Sequence, residues 1–401
     1  MRVPLRKKLS PIEGISLKER AAMSEDPLDR MMIEAGAAAR RWYDYENPDV
    51  SIIVLNFNRS DLTRSCLLHL WRNTGGVRYE IILVDNGSAP QDVAELDATP
   101  GPFTLIKLPT NRYFGEGNNI GAERAKGRGI VFLNNDAFVS PAWLEPLLHC
   151  LDHAPDAGGV GPKFVYPGGR LQELGCSIDA TGGVTRHLDD TFGSGAPRIV
   201  DYCSAACLLV SKTMFEAVGG FDFGFEPAYY EDADLSLKIK SAGKLIYCCP
   251  EACVVHIERA TTSAHLQIAG RNALANNRQI FVDRWGGALA ARSMPFAARQ
   301  GPEPGPAAGR QRRPSRRRSG ARIAFFLDQD LVPRDSVRLC LAAASAVAKR
   351  FDTILITPEP YSALRLKGLS EALSIDVTQL HLADLAQRHD FGPIDLAILA
   401  S

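Results

Sequence analysis

Residues 50–86 read VSIIVLNFNRSDLTRSCLLHLWRNTGGVRYEIILVDN. An apolar, β-branched run, SIIVLNF, ends on Asn56-Phe57-Asn58. A helix is expected over Asp61–Asn73, with the Asp61 carboxylate in its opening turn, where it favours the helix dipole. A second apolar run, EIILVDN, follows and ends on Asp85-Asn86-Gly87-Ser88. Continuous apolar strands joined by a helix imply parallel strands buried on both faces, not a half-exposed sheet with alternating polarity.

Outward from this unit the alternation continues. A short helix is expected near Gln91–Leu96, FTLIKLP is a third strand, and Gly117–Lys126 is a helix. GIVFLNN is a fourth strand and Pro141–Leu151 the next helix, with Pro141 at the first helical position, where its missing N–H costs nothing. The fold class is α/β: a mixed, mostly parallel Rossmann-like sheet with helices on both faces. Beyond residue 160 turns are more frequent, and SAACLLVS, a helix around Lys212–Val218 and KLIYCCPEACVVHIE continue the sheet.

Ligands of such sheets bind outside the carboxyl ends of the strands. Asx residues at one strand end make a turn for local reasons. Here Asn56-Phe57-Asn58, Asp85-Asn86-Gly87-Ser88 and Asn134-Asn135-Asp136 end successive apolar strands on one edge, which marks a site. Carboxylates there suit a pyrimidine imide or a hard divalent cation, which prefers one or two carboxylates completed by phosphate oxygens and water. In PTNRYFGEGNNIGAERA, Gly115, Gly117 and Gly121 permit close backbone approach, and Asn118 and Asn119 are expected to open a helix. In YYEDADLSLKIKSAG, Glu231, Asp232 and Asp234 crowd the first turn of a helix. Acids there stabilise the dipole, yet a loop as aromatic as GGFDFGFEPAYY suggests delivery of a general base. His256 ends the strand of PEACVVH and is either structural or a metal ligand.

Composition bounds the rest. The 401 residues carry zero formal net charge, so no nucleic-acid partner is expected from the chain as a whole. Nine scattered cysteines, with Cys248, Cys249 and Cys253 closest together, fit buried thiols in a reducing compartment. No apolar run reaches the roughly 18 residues that span a bilayer. The basic start, MRVPLRKKLSP, lacks the apolar core of a secretory signal. The expected location is cytoplasmic, with peripheral contact at the inner face of the membrane compatible with the basic segments.

The domain plan read from composition is a helical N-terminal extension (1–48), a main α/β domain (49–290), a Pro/Gly/Arg-rich linker (291–321) and a partial Rossmann-like domain (322–401). In the last, strands at RIAFFLDQD, DTILIT, IDVTQL and DLAILAS alternate with helices at Ser336–Lys349, Tyr361–Ala372 and Leu382–Arg388. It lacks a GxGxxG fingerprint, and its ending in an apolar strand suggests half of a larger domain.

In order, SIIVLNFNR, EIILVDNGS, NRYFGEGNNIGAERA, GIVFLNNDA, VGGFDFGFEPAYYEDADLSLKIKSAG and PEACVVH resemble a family 2 glycosyltransferase of the GT-A fold, in its rhamnosyltransferase-like branch. Residues 322–401 resemble the start of a GT-B Rossmann domain. The first resemblance implies an inverting transferase. It would move a sugar from a UDP- or dTDP-sugar, dTDP-rhamnose among them, to a hydroxyl of a glycan or lipid-linked acceptor in cell-wall or polysaccharide synthesis. By the same resemblance Asp85 would read the base, with Asn56, Asn58, Asn118, Asn119, Asn134 and Asn135 also on the donor. Asp136 and His256 would hold Mg²⁺ or Mn²⁺, and Asp232, paired with Glu231, would be the catalytic base. Asn134 stands where a strict DxD motif has Asp, and Arg112-Tyr113 where other members have Gly-Phe. Two other readings are a nucleotidyltransferase holding a triphosphate with Arg59 and Arg64, and a scaffold binding polyanions through the arginines of residues 310–318.

Overall fold

The computed structural model describes residues 26–189, 195–258, 273–292, 319–384, 394 and 396–400. The arginine-rich stretch of the linker and the first 25 residues lie outside them. The chain divides into two compact units, one within residues 26–178 and 183–281, the other within 282–401.

The first unit opens with α1 (Pro27–Ala39), capped by the Asp26 side chain, which accepts from the Leu28 amide at 2.8 Å. Then come β1 (Val50–Asn56), α2 (Ser60–Asn73), β2 (Tyr79–Asp85), α3 (Pro90–Ala98), β3 (Thr104–Lys107), α4 (Tyr113–Arg124), β4 (Gly129–Asn134), β5 (Ala137–Val139) and α5 (Leu144–His153). The chain continues through β6 (Ala157–Val165), β7 (Leu171–Glu173), the hairpin of β8 (Cys176–Ile178) and β9 (Val184–Arg186), β10 (Arg198–Val200) and β11 (Cys207–Ser211). It ends with α6 (Lys212–Ala217), α7 (Glu231–Ser241), β12 (Leu245–His256) and the first part of α8 (Ala273–Arg292). The main sheet runs β10-β12-β6-β11-β4-β1-β2-β3. β3, β2, β1 and β4 pair in parallel, β11 is antiparallel to both β4 and β6, and β6 and β12 are again parallel. The mixed, mostly parallel α/β sheet read from the sequence is present.

Strand periodicity sends neighbouring residues to opposite faces. Ile52 and Val54 of β1 join a core with Leu67, Leu70 and Trp71 of α2. On the other face, a Cβ at Gly121 of α4 would sit 2.7 Å from Ile53, and one at Gly117 would sit 2.7 Å from Leu55. These two glycines exist so that α4 can lie directly on the sheet. The close approach anticipated from them is therefore helix against sheet, and α4 begins at Tyr113, earlier than expected. Met32 of α1 is fully buried in the same core as α2, so residues 27–39 are part of this unit and not an appendage to it. The helix expected from Pro141 begins at Leu144, because Ala142 takes a left-handed conformation (φ 56°) after the proline.

The second unit is a parallel sheet ordered β15-β14-β13-β16, from β13 (Ser319–Leu327), β14 (Phe351–Thr357), β15 (Leu380–Asp384) and β16 (Leu396–Ala400). Helices Asp335–Ala348 (α9) and Ala363–Leu373 (α10) lie between its strands in sequence. α9 buries Val337, Cys340, Leu341, Ala344 and Ala348, the one-face spacing of a helix on a sheet. The strand expected at IDVTQL is displaced to Leu380–Asp384, since the Asp376 carboxylate accepts from the Thr378 amide and hydroxyl and closes a turn. Leu382–Asp384, expected in a helix, are therefore strand, and the rest of that expected helix lies outside the described residues. The cysteines at 248, 249 and 253 are free thiols, the first two buried.

Candidate active site

A cavity of about 420 Å³ opens at the carboxyl ends of β1 and β4. Its floor and walls include Leu55, Phe57, Asn134, Asn135, Asp136, Glu231, Asp232 and His256. Most of the second wall comes from residues that no motif announced: Glu173, Arg186, Tyr202, Ser204 and Glu258.

Sheet register brings the first pair together. β5 and β12 run antiparallel with His256 opposite Ala137, and the Ile257 amide donates to the Asp136 carbonyl at 3.1 Å. His256 Nε2 then lies 3.5 Å from Asp136 Oδ1. Asp136 is only 1% exposed, and its Oδ1 has no hydrogen-bond partner among the described residues. A buried carboxylate oxygen left this way costs about 1–3 kcal/mol. A cation between Asp136 and His256 would satisfy it. The carboxylate, completed by phosphate oxygens, suits Mn²⁺ or Mg²⁺, while an imidazole is a ligand more usual for zinc than for these ions. Among the described residues no group of three or more His, Cys, Asp or Glu is placed to hold a metal ion.

The acids at 231, 232 and 234 separate by surroundings. Asp234 is fully buried and pairs with Lys238 at 3.1 Å, one turn along α7. Lys238 also donates to the Gly220 carbonyl at 2.6 Å, which ties the helix to the aromatic loop before it. Asp232 and Glu231 face the cavity. Asp232 accepts from the amides of Ala233 (2.8 Å) and Ala205 (3.4 Å). Burial nevertheless pushes its carboxyl above the usual range. Burial and the neighbouring Asp232 push Glu231 further up, and Glu231 Oε2 has no hydrogen-bond partner among the described residues.

The aromatic loop delivers these acids by being anchored at both ends. Phe221 packs edge-on to Phe114, Phe132 and Phe215, with ring centroids 5.5, 4.9 and 5.6 Å away. Phe225 meets Phe281 of α8, and the Asn277 amide donates to the carbonyls of Phe225, Ala228 and Tyr229 at 2.6, 2.8 and 3.1 Å. Between the anchors Tyr229 and Tyr230 are forced left-handed, at φ 79° and 72°. Such a conformation is strained for bulky residues and persists only where the surroundings over-determine it.

The other expected residues are drawn elsewhere. Asn56 is fully buried; its amide reaches Asp85 (3.1 Å), Ser88 (3.0 Å) and Asp92 (2.8 Å), and its carbonyl accepts from Thr63 (2.8 Å). Asp85 is 1% exposed, and burial raises its carboxyl against the hydrogen bonds from Ser88 and Asn56. Asn58 accepts from the Ala89 amide at 2.7 Å. Asn118 donates to the Phe114 carbonyl at 2.9 Å, and Asn119 exchanges a pair of bonds with the backbone of Phe221, at 2.9 and 3.0 Å. None of these five lines the cavity. Asn118 and Asn119 do not open a helix: they sit beyond the first turn of α4 with their amides on backbone. Asn135 touches the cavity, but its amide donates inward to Thr63 at 3.0 Å.

Residues 51–195 match the model of glycosyl transferase family 2. This domain belongs to that family. The chain is 31% identical over 230 residues to the O-antigen biosynthesis protein RfbC of Myxococcus xanthus, a match covering 54% of this chain and 18% of that protein. The chain thus spans less than a fifth of that relative's length. It is 28% identical over 217 residues to the N-acetylglucosaminyl-diphospho-decaprenol L-rhamnosyltransferase of Mycobacterium tuberculosis, covering 45% of this chain and 67% of that one. A solved structure of GalNAc-T7 with UDP, GalNAc and Mn²⁺ aligns at 18% identity and a TM-score of 0.47, over 54% of this chain and 45% of that one. No helix among the described residues is long and apolar enough to cross a membrane.

Proposed function

We propose that the cavity is the active site of an inverting, metal-dependent glycosyltransferase that moves a sugar from a UDP- or dTDP-sugar to a hydroxyl of a glycan or lipid-linked acceptor. The observation that carries this reading is the meeting, in one cavity, of Asp136, whose Oδ1 lacks a hydrogen-bond partner among the described residues, with His256 and a part-exposed Asp232 at the start of α7. The two rhamnosyl- and O-antigen-related matches support the class of reaction. dTDP-rhamnose is the first donor to try.

Asp232 accepts the proton of the acceptor hydroxyl, and the oxygen so freed attacks the anomeric carbon from the face opposite the leaving diphosphate. A carboxyl raised above its usual range is the stronger base for this step. The Ala233 and Ala205 amides hold the carboxylate so that its remaining lone pairs face the cavity. Burial and the Asp232 charge raise the Glu231 carboxyl, which disfavours a second negative charge beside Asp232. Asp136 and His256 would hold the metal, which when bound supplies positive charge to the departing diphosphate. Asn134 lines the cavity and contributes an amide without adding charge.

The nucleotidyltransferase reading loses support from its own candidates. Arg59 is paired with Asp61, with both contacts at 2.8 Å, and Arg64 is paired with Asp29 and Asp26. Neither guanidinium lines the cavity.

The deciding experiment is calorimetric binding of UDP, dTDP, GDP and ADP with and without Mn²⁺. Metal-dependent preference for UDP or dTDP supports the reading. Folded protein that binds none of the four sinks it.

A further inference from the structure

A chain of polar side chains runs from Asp136 along the cavity, through His256, Gln172 and Glu258 to Arg186. Gln172 sits on β7, is 3% exposed, and belongs to none of the motifs. Its Nε2 donates to Glu258 Oε2 at 3.2 Å, and its Oε1 lies 3.2 Å from His256 Nδ1.

The direction of each bond follows from what each group can do. Glu258 is gripped by Arg186 at 2.7 Å and accepts from the Tyr166 hydroxyl at 3.2 Å. Both of its carboxylate oxygens thus face donors, the Arg186 guanidinium and the Tyr166 hydroxyl, and act as acceptors. The Gln172 atom facing it must then be the NH₂ group. That leaves the amide oxygen for His256, and an amide oxygen also only accepts. The hydrogen of a neutral His256 therefore belongs on Nδ1. Its lone pair falls on Nε2, the nitrogen 3.5 Å from the unsatisfied Asp136 oxygen. Two acceptors facing each other with no hydrogen between them repel unless a cation lies there.

We propose that Gln172, oriented by Glu258, is the positioning residue that sets the tautomer of His256 and keeps the Nε2 lone pair aimed at Asp136. The purpose of this arrangement rests on the metal reading above; its geometry does not. Partners behind a ligating imidazole commonly fix its tautomer and ring, and their loss lowers metal affinity by about 10- to 100-fold. Without Gln172, the Asp136 carboxylate would draw the hydrogen to Nε2 and occlude the site.

The test reads the tautomer directly. Long-range ¹H–¹⁵N spectra of the whole, metal-free protein are recorded at about pH 8.5, above the ordinary histidine range, with His256 assigned from a His256→Gln sample. The expected form is Nδ1–H in the unaltered protein, shifting towards Nε2–H in Gln172→Met. In a Mn²⁺ titration with UDP present, followed by the paramagnetic signal of free Mn²⁺, Gln172→Met should bind about 10- to 100-fold more weakly. Glu258→Gln, which frees the amide to turn over, should shift both readouts the same way by less. An Nε2–H or doubly protonated His256 in the unaltered protein overturns the proposal. So does a Gln172→Met protein with unchanged tautomer and Mn²⁺ affinity. Should Gln172→Met fail to fold, the unaltered protein and Glu258→Gln still decide. If the unaltered protein with UDP binds no Mn²⁺, the metal reading fails, while the tautomer continues to judge the role of Gln172.

Discussion

Two sets of side chains in the first compact unit are alike in chemistry and opposite in circumstance. Asn56, Asp85 and Asn119 are buried, and their polar atoms find one another, Ser88, Asp92 or the backbone of Phe221. Asp136 and Glu231 are also buried, yet each keeps one carboxylate oxygen without a hydrogen-bond partner among the described residues, at the wall of a cavity. A satisfied buried polar group rigidifies the structure around it, whereas an unsatisfied one stores a cost that a ligand can relieve. The first set should therefore respond to mutation through stability and the second through chemistry.

Asp232→Asn offers the largest expected effect. Turnover of a nucleotide-sugar donor should fall by about 10²–10⁴-fold, as expected for loss of a general base. Nucleotide affinity and thermal midpoint should be nearly unchanged. Near-normal turnover would remove Asp232 from the chemistry. In the parent protein the acidic limb of the rate profile should lie above the usual carboxylate range, because burial raises Asp232. Activity is then lost as pH falls through that raised value and Asp232 takes up a proton.

Asp136→Ala comes next. Mn²⁺-dependent binding of UDP or dTDP should weaken by at least about 10-fold, while thermal stability holds or rises because an unsatisfied buried oxygen is gone. A large loss of stability would place Asp136 in the first set and break the comparison.

The sheet was readable because its strands are buried on both faces, so SIIVLNF, EIILVDN and GIVFLNN are unbroken apolar runs. Which polar strand ends line the cavity was not readable. Asn119 and Asp136 look equally available in sequence, and the difference comes from partners 102 residues away in one case and from a cross-strand histidine in the other. Glycine misled for a related reason: in α4 it marks contact with Ile53 and Leu55, and spacing cannot say what comes close. The second wall was invisible. Gln172, Glu173 and Arg186 lie on strands of three residues, too short for any period, and gain meaning only when β7 pairs with β6 and Arg186 reaches Glu258. Asn277 is one polar residue in a helix with little amphipathic pattern, and only the fold shows it holding the loop that delivers Asp232.

Asn56→Ala tests the sealed set. It leaves Asp85, Ser88 and Asp92 each short of a donor and Thr63 short of an acceptor. A loss of about 3 kcal/mol is expected from several buried groups left unpaired, measured by urea unfolding. Asn119→Ala should cost about 2 kcal/mol by freeing the Phe221 backbone. Neither site lines the cavity, so the folded fraction should keep its Mn²⁺ affinity. Loss of metal binding at unchanged stability would move Asn56 into the second set.

Glu231→Gln should give the smallest effect and the sharpest separation, because it sets stability against activity at one residue. Burial and the Asp232 charge raise the Glu231 pKa in the folded chain, while in the unfolded chain it titrates normally. The stability this carboxyl contributes is fully present below its unfolded pKa and is lost as pH rises towards the folded one. Over that window the folded state holds a proton that the unfolded state has released, so stability declines by up to about 1.4 kcal/mol per pH unit. Glutamine keeps the shape and does not titrate, so the variant should lose this component of the slope. Near neutral pH it should unfold at higher urea than the parent, with equal stability regained at acid pH. Turnover should fall less than in Asp232→Asn if, as proposed, Asp232 and not Glu231 accepts the proton. A variant with the parent's pH slope would mean that Glu231 is already ionised in the folded protein, and the unpartnered oxygen at the cavity wall would then be charged as well as buried.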